Sequence, residues 1–156
     1  MPRVLFICTA NYYRSRFAEA VFNHLAAKRG SSWTAFSRGI VPEEAPPGLS
    51  PHAANGLRLA GVDPSFIPRE KTPLCEADFD AAARVVALKR EEHEPMLRER
   101  FGAFVGRVEF WNVSDVPLVS PPQAMLEIKE NVEALLARLE ESGGGPSPRA
   151  PEAGAP

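Results

Sequence analysis

The chain has 156 residues, 44% of them hydrophobic, which is enough for one domain with one core and too little for a second. Its 18 basic and 20 acidic residues leave a net charge of −2, so the composition does not indicate nucleic acid or an anionic membrane as a partner. No apolar run approaches the roughly 20 residues that cross a bilayer, the N-terminus lacks the apolar segment of a secretory signal, and we expect a cytoplasmic protein.

Along the chain, apolar runs of strand length alternate with helical patterns. The run RVLFI, residues 3–7, is continuous, which is typical of a strand buried on both faces. A helix is predicted next over residues 15–28, where apolar residues recur at helical spacing and Gly30 supplies a stop. The remaining predicted strands cover residues 33–37, 83–88 and 107–111. The remaining predicted helices cover residues 50–61, 75–80, 90–101 and 122–141, with Pro95 expected to interrupt or start the third of them.

Strands that alternate with helices predict an α/β fold, here a single-domain three-layer sandwich with a four-stranded parallel sheet and helices on both faces. This domain is expected to span residues 1–141, and residues 142–156, rich in glycine and proline, are expected to form a disordered tail. Ligands bind beyond the carboxyl ends of the strands in such folds. Cys8 lies at that end of the first strand.

The segment CTANYYRS, residues 8–15, joins the first strand to the first helix. If its peptide N–H groups point inward at the start of the helix, they form a positively polarised pocket for a tetrahedral anion. Arg14 can add two parallel hydrogen bonds from its planar fork, and the same field favours the thiolate form of Cys8. A thiolate that faces a bound phosphoryl group is a nucleophile, and displacement would leave a phosphocysteine intermediate.

This segment resembles the signature of the low-molecular-weight protein tyrosine phosphatases, in which a cysteine, five residues, an arginine and a serine lie between the first strand and the first helix. The stretches FAE at 17–19, SRG at 37–39 and SPHA at 50–53 also resemble family sequence, so the similarity covers most of residues 3–140. The resemblance implies a phosphatase for phosphotyrosine or similar phosphomonoesters that needs no metal and no cofactor.

The resemblance also implies the roles of individual residues in the loop. Asn11 corresponds to an asparagine that holds the loop in a left-handed kink, and Ser15 to a serine that hydrogen-bonds the thiolate. The expected substrate-binding residues are Thr9, Ala10, Asn11, Tyr12, Tyr13 and Ser15. The expected catalytic residues are Cys8, Arg14 and Asp115.

Asp115 is the candidate acid because the family carries an aspartate, followed directly by proline, in a loop after the fourth strand. Here the stretch FWNVSDVPLV supplies Asp115 in the matching region. It would protonate the leaving group and then activate the water that hydrolyses phosphocysteine. Val116 separates it from Pro117, which could displace the carboxylate. The alternative reading of Asp115 is an ordinary loop residue or cap.

Other positions depart from the family pattern. Ala10 stands where a glycine is frequent, so the loop would be strained if that position requires a positive φ. Tyr13 replaces a second cysteine, so a reversible disulfide with the nucleophile is expected to be absent, and Arg16 replaces a proline at the helix start. Tyr12 and Tyr13 either form an aromatic wall against a substrate ring or pack on the fold.

Basic residues follow the second and third predicted strands, at Arg38, Lys89 and Arg90. If their side chains reach the mouth of the pocket, the site favours substrates with extra negative charge, or inorganic oxyanions. The alternative is a solvated charge cluster.

The other candidate residues for metal or redox chemistry are scattered. Cys8 and Cys75 are far apart and lack histidine or cysteine neighbours at ligand spacing, which argues against a zinc site and a disulfide framework. His24, His52 and His93 are expected to be surface or packing residues.

Three functions remain open. The first is a phosphatase whose partner is a phosphorylated protein or small phosphomonoester, with inorganic phosphate or a similar oxyanion as ligand. The second is an arsenate reductase on the same fold, although Cys75 is the single additional thiol that the sequence offers. The third is a catalytically weak protein that binds phosphorylated partners.

Overall fold

The computed structural model describes residues 1–68, 70–115 and 118–142, and over these residues four strands form one parallel sheet. The strands are β1 (Arg3–Cys8), β2 (Thr34–Gly39), β3 (Arg84–Ala87) and β4 (Val108–Phe110). Their order in the sheet is β2-β1-β3-β4, and each neighbouring pair is parallel. The predicted four-stranded parallel sheet is therefore confirmed, with β1 and β3 at its centre.

The helices occupy the predicted segments with small changes at their ends. They are α1 (Arg14–Lys28), α2 (Pro51–Leu59), α3 (Glu76–Asp80), α4 (Arg90–Phe101) and α5 (Pro121–Glu141). Short 3-10 turns add Pro42–Glu44, Pro64–Phe66 and Gly102–Arg107. Pro95 neither starts nor interrupts α4 but lies inside it. It removes one backbone donor early in the helix, and the carbonyl left over belongs to the exposed residue Glu91, where water can replace the lost bond.

The two faces of the sheet carry separate apolar clusters because the side chains of β1 alternate between them. Val4 and Phe6 belong to the cluster that includes residues of α1 and α5. Leu5 and Ile7 belong to the cluster that includes residues of α3 and α4. Helices therefore cover both faces, and the predicted three-layer α/β fold is confirmed.

Within the described part of the chain, no helix is both long and apolar enough to cross a membrane. The same residues contain no group of three or more histidine, cysteine, aspartate or glutamate side chains arranged to hold a metal ion. The predicted C-terminal tail lies, from residue 143 onward, outside the described residues.

Candidate active site

Cys8 is the last residue of β1, and its side chain is buried. Its Sγ lies 2.9 Å from the hydroxyl oxygen of Ser15. The same oxygen accepts a hydrogen bond of 2.8 Å from Nδ2 of Asn11, which leaves Ser15 its own hydrogen to donate. A thiolate has no hydrogen to give, so when Cys8 acts as a nucleophile Ser15 is the donor of this bond.

Asn11 fixes the shape of the loop that follows Cys8. It has a φ of 54°, and it is the only described non-glycine residue with a positive φ. Its Oδ1 accepts the backbone N–H of Thr72 at 2.8 Å, which leaves Nδ2 to donate to the hydroxyls of Ser15 and Ser37. Asparagine tolerates this conformation better than most residues, and the kink that the family resemblance implied at Asn11 is present.

The backbone of the loop packs directly on the end of β2. A Cβ placed on Gly39 would lie 2.8 Å from the carbonyl carbon of Ala10 and 2.8 Å from the backbone nitrogen of Asn11. Only a glycine permits this approach without a shift. Ala10 itself has no positive φ, so the strain considered for an alanine at this position does not arise.

The loop leaves backbone donors available for an anion. Among the described residues, no acceptor receives a hydrogen bond from the backbone N–H groups of residues 9–13. Helix α1 begins directly afterwards, without a side-chain cap and without an acidic residue in its first turn. Its positive end is therefore not neutralised by its own sequence, and an oxyanion can complete it.

Arg14 is buried at the first position of α1, with 2% of its side chain exposed. One terminal nitrogen donates to the carbonyl of Val113 at 3.0 Å and to Oε1 of Glu92 at 3.0 Å. The other donates to Oε2 of Glu92 at 2.7 Å and to Oδ2 of Asp115 at 3.5 Å. Burial alone would lower the pKa of Arg14, but the hydrogen bond to Glu92 and the surrounding negative charges raise it above its ordinary value.

The structure brings Asp115, the acid indicated by the sequence, next to Arg14 at the edge of the pocket. Its side chain is 46% exposed, so water and a leaving group can reach the carboxyl. Val116 and Pro117, which separate this chain from the usual family sequence, lie outside the described residues. Arg14 and Asp115, the two residues predicted to be catalytic at this edge, are thus adjacent despite the altered spacing.

These residues surround a cavity of about 390 Å³ above the loop. Its described lining consists of Cys8, Thr9, Ala10, Tyr12, Tyr13, Arg14, Glu44, Ala45, Pro46, Ser50, His52, Glu92 and Asp115. Arg14 is the only arginine or lysine in this described lining, against three acidic residues. Asn11 and Ser15 stand behind the loop and support it rather than lining the cavity.

The expectation of a basic mouth is wrong for the described lining. The guanidinium of Arg38 donates to Asp78 at 3.2 Å. The ammonium of Lys89 donates to the hydroxyl of Ser114, and Arg90 pairs with a carboxylate one turn along α4. The position of these residues at the carboxyl ends of strands does not determine where their long side chains point, because each side chain contacts a polar partner away from the cavity.

The two tyrosines of the loop differ in their surroundings. Tyr13 is only 6% exposed, its hydroxyl donates to the carbonyl of Pro121 at 3.4 Å, and its ring meets that of His52 edge-on. Burial, reinforced by the nearby Asp115 carboxylate, raises the pKa of Tyr13 to about 12. Tyr12 is only partly buried. Tyr13 is therefore mainly a packing residue, and Tyr12 offers the more accessible aromatic surface.

Two cations, the buried Arg16 and the half-buried Lys71, hold the segment of residues 42–48, of which residues 44–46 line the cavity. Arg16, at the position of the family proline, donates to the carbonyls of Gly48 and Pro68 at 2.7 and 2.6 Å. The ammonium of Lys71 donates to carbonyls within residues 42–46. Charge-assisted hydrogen bonds thus hold this wall of the pocket through its backbone carbonyls.

The three histidines and the second cysteine lie in different surroundings. His24 packs edge-on against Phe66, and His52 is exposed and lines the cavity. His93, expected at the surface or in the core, is fully buried and contacts site residues. Cys75 is exposed and does not line the cavity.

Glu92 and its neighbour His93 are among the site residues that sequence reasoning missed. Their place follows from the order of strands, since the carboxyl end of β3 adjoins that of β1 and both residues lie in the first turn of the helix that follows β3. Residues in that place are carried toward the loop after Cys8. An acidic first turn is, however, also the ordinary preference of a helix start, so the pattern alone did not single them out.

A buried thiol that ends a parallel strand, a loop with unused backbone donors, and an arginine at the following helix start define the cysteine-dependent phosphatases that work through a phosphate-binding loop. Residues 3–143 match the family of low molecular weight phosphotyrosine protein phosphatases. The chain belongs to this family, whose members are hydrolases, as the sequence resemblance indicated.

Individual relatives agree with this assignment. The chain is 26% identical over 145 residues to a protein-arginine-phosphatase of Bacillus subtilis strain 168, an alignment that covers 87% of this chain and 93% of that protein. The low molecular weight protein tyrosine phosphatase of T. tengcongensis is 26% identical, with a TM-score of 0.75 over 89% of this chain and all of its own (100%). YfkJ from Bacillus subtilis is also 26% identical, with a TM-score of 0.78 over 91% of this chain and 96% of its own.

Proposed function

We propose that the protein hydrolyses phosphomonoesters, phosphotyrosine among them, through a phosphocysteine intermediate. Cys8 is the nucleophile, Arg14 and the loop amides hold the phosphoryl oxygens, and Asp115 moves the proton. The observation that carries the proposal is that Cys8, Arg14 and Asp115 line one cavity above the loop, with the Cys8 sulfur 2.9 Å from the hydroxyl oxygen of Ser15. A thiolate at this position accepts the hydrogen of Ser15.

In the first step the Cys8 sulfur attacks phosphorus, a sulfur–phosphorus bond forms and the bond to the leaving oxygen breaks. Protonated Asp115 gives its proton to that oxygen, so a neutral alcohol or phenol departs. The charge on the equatorial oxygens is met by the guanidinium of Arg14 and the N–H groups of residues 9–13.

In the second step the Asp115 carboxylate takes a proton from water while the water oxygen attacks phosphorus. The sulfur–phosphorus bond breaks, inorganic phosphate forms and the Cys8 thiolate returns. The side chain of Asp115 is open to solvent on one side, which gives the water a route to the intermediate.

An aryl phosphate assay without added metal tests the proposal. Cys8→Ser should lose at least about 10³-fold in kcat because the nucleophile is gone. Asp115→Asn should lose about 10²-fold with a poor leaving group and much less with a good one, which departs without a proton. Equal losses for both leaving groups would contradict the role of Asp115, and turnover that survives Cys8→Ser would contradict the covalent route.

The acidic lining favours a second candidate substrate, phosphoarginine. Glu44 and Asp115 border the cavity, and the guanidinium that leaves from phosphoarginine is cationic once protonated. The curated relative from Bacillus subtilis is a protein-arginine-phosphatase, which agrees with this direction. The same nucleophile would then cleave a phosphorus–nitrogen bond, with the proton from Asp115 going to nitrogen.

Matched peptides that carry phosphoarginine or phosphotyrosine separate the two candidates. Glu44→Gln should lower kcat/KM for the phosphoarginine peptide by about two- to fivefold, the effect of one exposed charge, and leave phosphotyrosine nearly unchanged. Glu43→Gln is the control, since Glu43 is exposed next to it and does not line the cavity. Equal responses of both peptides to Glu44→Gln would contradict the phosphoarginine candidate.

The remaining alternatives gain less support. Cys75, the sole second thiol of the chain, does not line the cavity, so an arsenate reductase would depend on thiols from elsewhere. Tight binding of a phosphopeptide without turnover in the aryl phosphate assay would favour the binding-protein alternative.

A further inference from the structure

The carboxylate of Glu92 accepts hydrogen bonds from both sides of the active-site loop. Oε1 and Oε2 receive the two terminal nitrogens of Arg14 at 3.0 and 2.7 Å, in a bidentate pair. Oε2 also accepts the hydroxyl of Thr9, the residue after the nucleophile, and lies 3.1 Å from Nε2 of His93. One side chain from α4 thus connects the beginning and the end of the loop.

His93 is oriented so that it can only donate toward Glu92. Its Nδ1 accepts the backbone N–H of Lys89 at 3.0 Å, so a neutral ring carries its hydrogen on Nε2. That nitrogen faces Oε2 of Glu92 and, at 3.2 Å, the hydroxyl of Thr9. The carboxylate therefore has a fixed set of donors that are in place before any substrate arrives.

The bidentate pair decides which side of the Arg14 guanidinium is left for substrate. Each of the two terminal nitrogens of Arg14 donates one of its hydrogens to the carboxylate of Glu92. The second hydrogen of Nη1 is donated to the carbonyl of Val113. What remains is the side formed by Nε–H and the second terminal nitrogen, where Asp115 lies at 3.5 Å. This side can give two parallel hydrogen bonds to a phosphoryl group.

We propose that Glu92 is a positioning residue of the phosphatase reaction, which holds Arg14 with this side toward the phosphoryl group and balances its charge. The inference rests on the proposed function. In this role Glu92 acts through Arg14 and Thr9.

The ionisation of Glu92 agrees with this role. Burial alone would raise the pKa of Glu92, but hydrogen bonds from His93, Arg14 and Thr9 outweigh it and hold that pKa well below the usual range. The carboxylate is therefore charged at pH 5.5 and above.

The role predicts opposite effects on turnover and on phosphate binding when the charge is removed. Without the Glu92 carboxylate, the positive charge of Arg14 would be less compensated and the hydrogens that pointed at Glu92 would be available to a ground-state anion, so inorganic phosphate should bind more tightly. The transition state requires one orientation of the Arg14 guanidinium. A guanidinium that turns freely spends less time in that orientation, so turnover slows. Loss of Glu92 should therefore lower kcat while it improves phosphate affinity.

The test compares the wild type with Glu92→Gln in an aryl phosphate assay, with inorganic phosphate as competitive inhibitor. We expect kcat to fall about tenfold or more and the phosphate inhibition constant to fall at least about threefold, with the same ratio at pH 5.5 and pH 7.5. Titration calorimetry with inorganic phosphate measures the affinity independently of turnover. Any other combination of the two changes would overturn the inference, including a lower kcat together with weaker phosphate binding.

Glu94→Gln is the matched control, because it is the same substitution on the same helix. Glu94 pairs with Arg90 and Arg98 and does not line the cavity, so neither constant should change. If Glu92→Gln does not fold, Glu92→Asp takes its place: it keeps the charge on a shorter stem, so kcat should fall while phosphate affinity stays at the wild-type value. A loss of affinity in that variant would overturn the inference.

The assay also separates this inference from the proposed function. If turnover depends on Cys8 but Glu92→Gln does not combine a lower kcat with tighter phosphate binding, the role of Glu92 is contradicted and the proposed function is not. Absence of Cys8-dependent turnover in the wild type contradicts the proposed function, and calorimetry still decides whether phosphate binds more tightly without the Glu92 charge.

Discussion

At the scale of single residues, Asn11 shapes the active-site loop. Its side chain makes three hydrogen bonds, to Ser15, Ser37 and the backbone of Thr72, while its backbone lies in the left-handed region. An alanine loses the hydrogen bonds and also pays about 1–2 kcal/mol for that backbone conformation. A glycine loses the hydrogen bonds but adopts the conformation freely.

We predict that Asn11→Ala and Asn11→Gly both lose most activity, because both release Ser15 from its orientation toward Cys8. Asn11→Ala should be the less stable of the two by about 1 kcal/mol. Urea unfolding at equilibrium measures the difference. Equal stabilities would mean that the loop relaxes out of the left-handed conformation in the alanine variant.

The sequence predicted site residues best where the reacting groups lie close together along the chain. Cys8 and Arg14 lie six residues apart around one helix start, so one short motif predicts both, and Asn11 and Ser15 follow from the same resemblance. Glu92 is 78 residues from Arg14, and no local pattern joins the two. It could be found only once the order of strands was known, because adjacency of β1 and β3 brings α4 to the loop.

At the scale of elements, β2 and the active-site loop pack backbone against backbone at Gly39. Gly39 pairs in register with Cys8, and its missing side chain lets the backbone of residues 10 and 11 lie against it. The strands and helices were predictable because their apolar periodicity is strong. The direction of Arg38 and Lys89 was not, because a long charged side chain follows its partners and not its strand.

We predict that Gly39→Ala lowers kcat/KM by about 10²-fold and destabilises the fold by about 1–3 kcal/mol, because the new methyl group would displace the loop backbone. Gly102→Ala is the control: it lies in a helical conformation, and a Cβ there meets no atom within 4 Å. That variant should keep wild-type activity and equal or slightly higher stability. Equal activity of the two variants would show that the close approach is not needed.

At the scale of the whole molecule, the buried histidine couples stability to pH. Burial lowers the pKa of His93 below its ordinary value, and the backbone N–H that faces Nδ1 leaves no acceptor for a second ring proton. The unfolded chain then binds more protons than the folded one below about pH 6.5. Glu92 acts at lower pH, since its lowered pKa gives stability that is present above about pH 4.5 and is lost as the pH falls further.

We therefore predict that the free energy of unfolding decreases as the pH falls from about 6.5 toward 5, and that His93→Gln flattens this part of the curve. Urea unfolding at intervals of half a pH unit provides the measurement. His52→Gln is the control, because His52 is exposed, and it should keep the wild-type slope. If the free energy of unfolding of His93→Gln still decreases with falling pH as in the wild type, another titrating group is responsible for the pH dependence.

The wall of the pocket has a consequence for how substrates are selected. Because Arg16 and Lys71 tie residues 42–48 down through backbone carbonyls, this segment is ordered before a ligand enters. A preorganised cleft discriminates by fit and charge at first encounter, without a closing motion to gate the reaction. The backbone amides of Glu44 and Ala45 in this segment donate hydrogen bonds, and their hydrogen exchange should accordingly be nearly the same in the free protein and when inorganic phosphate is bound.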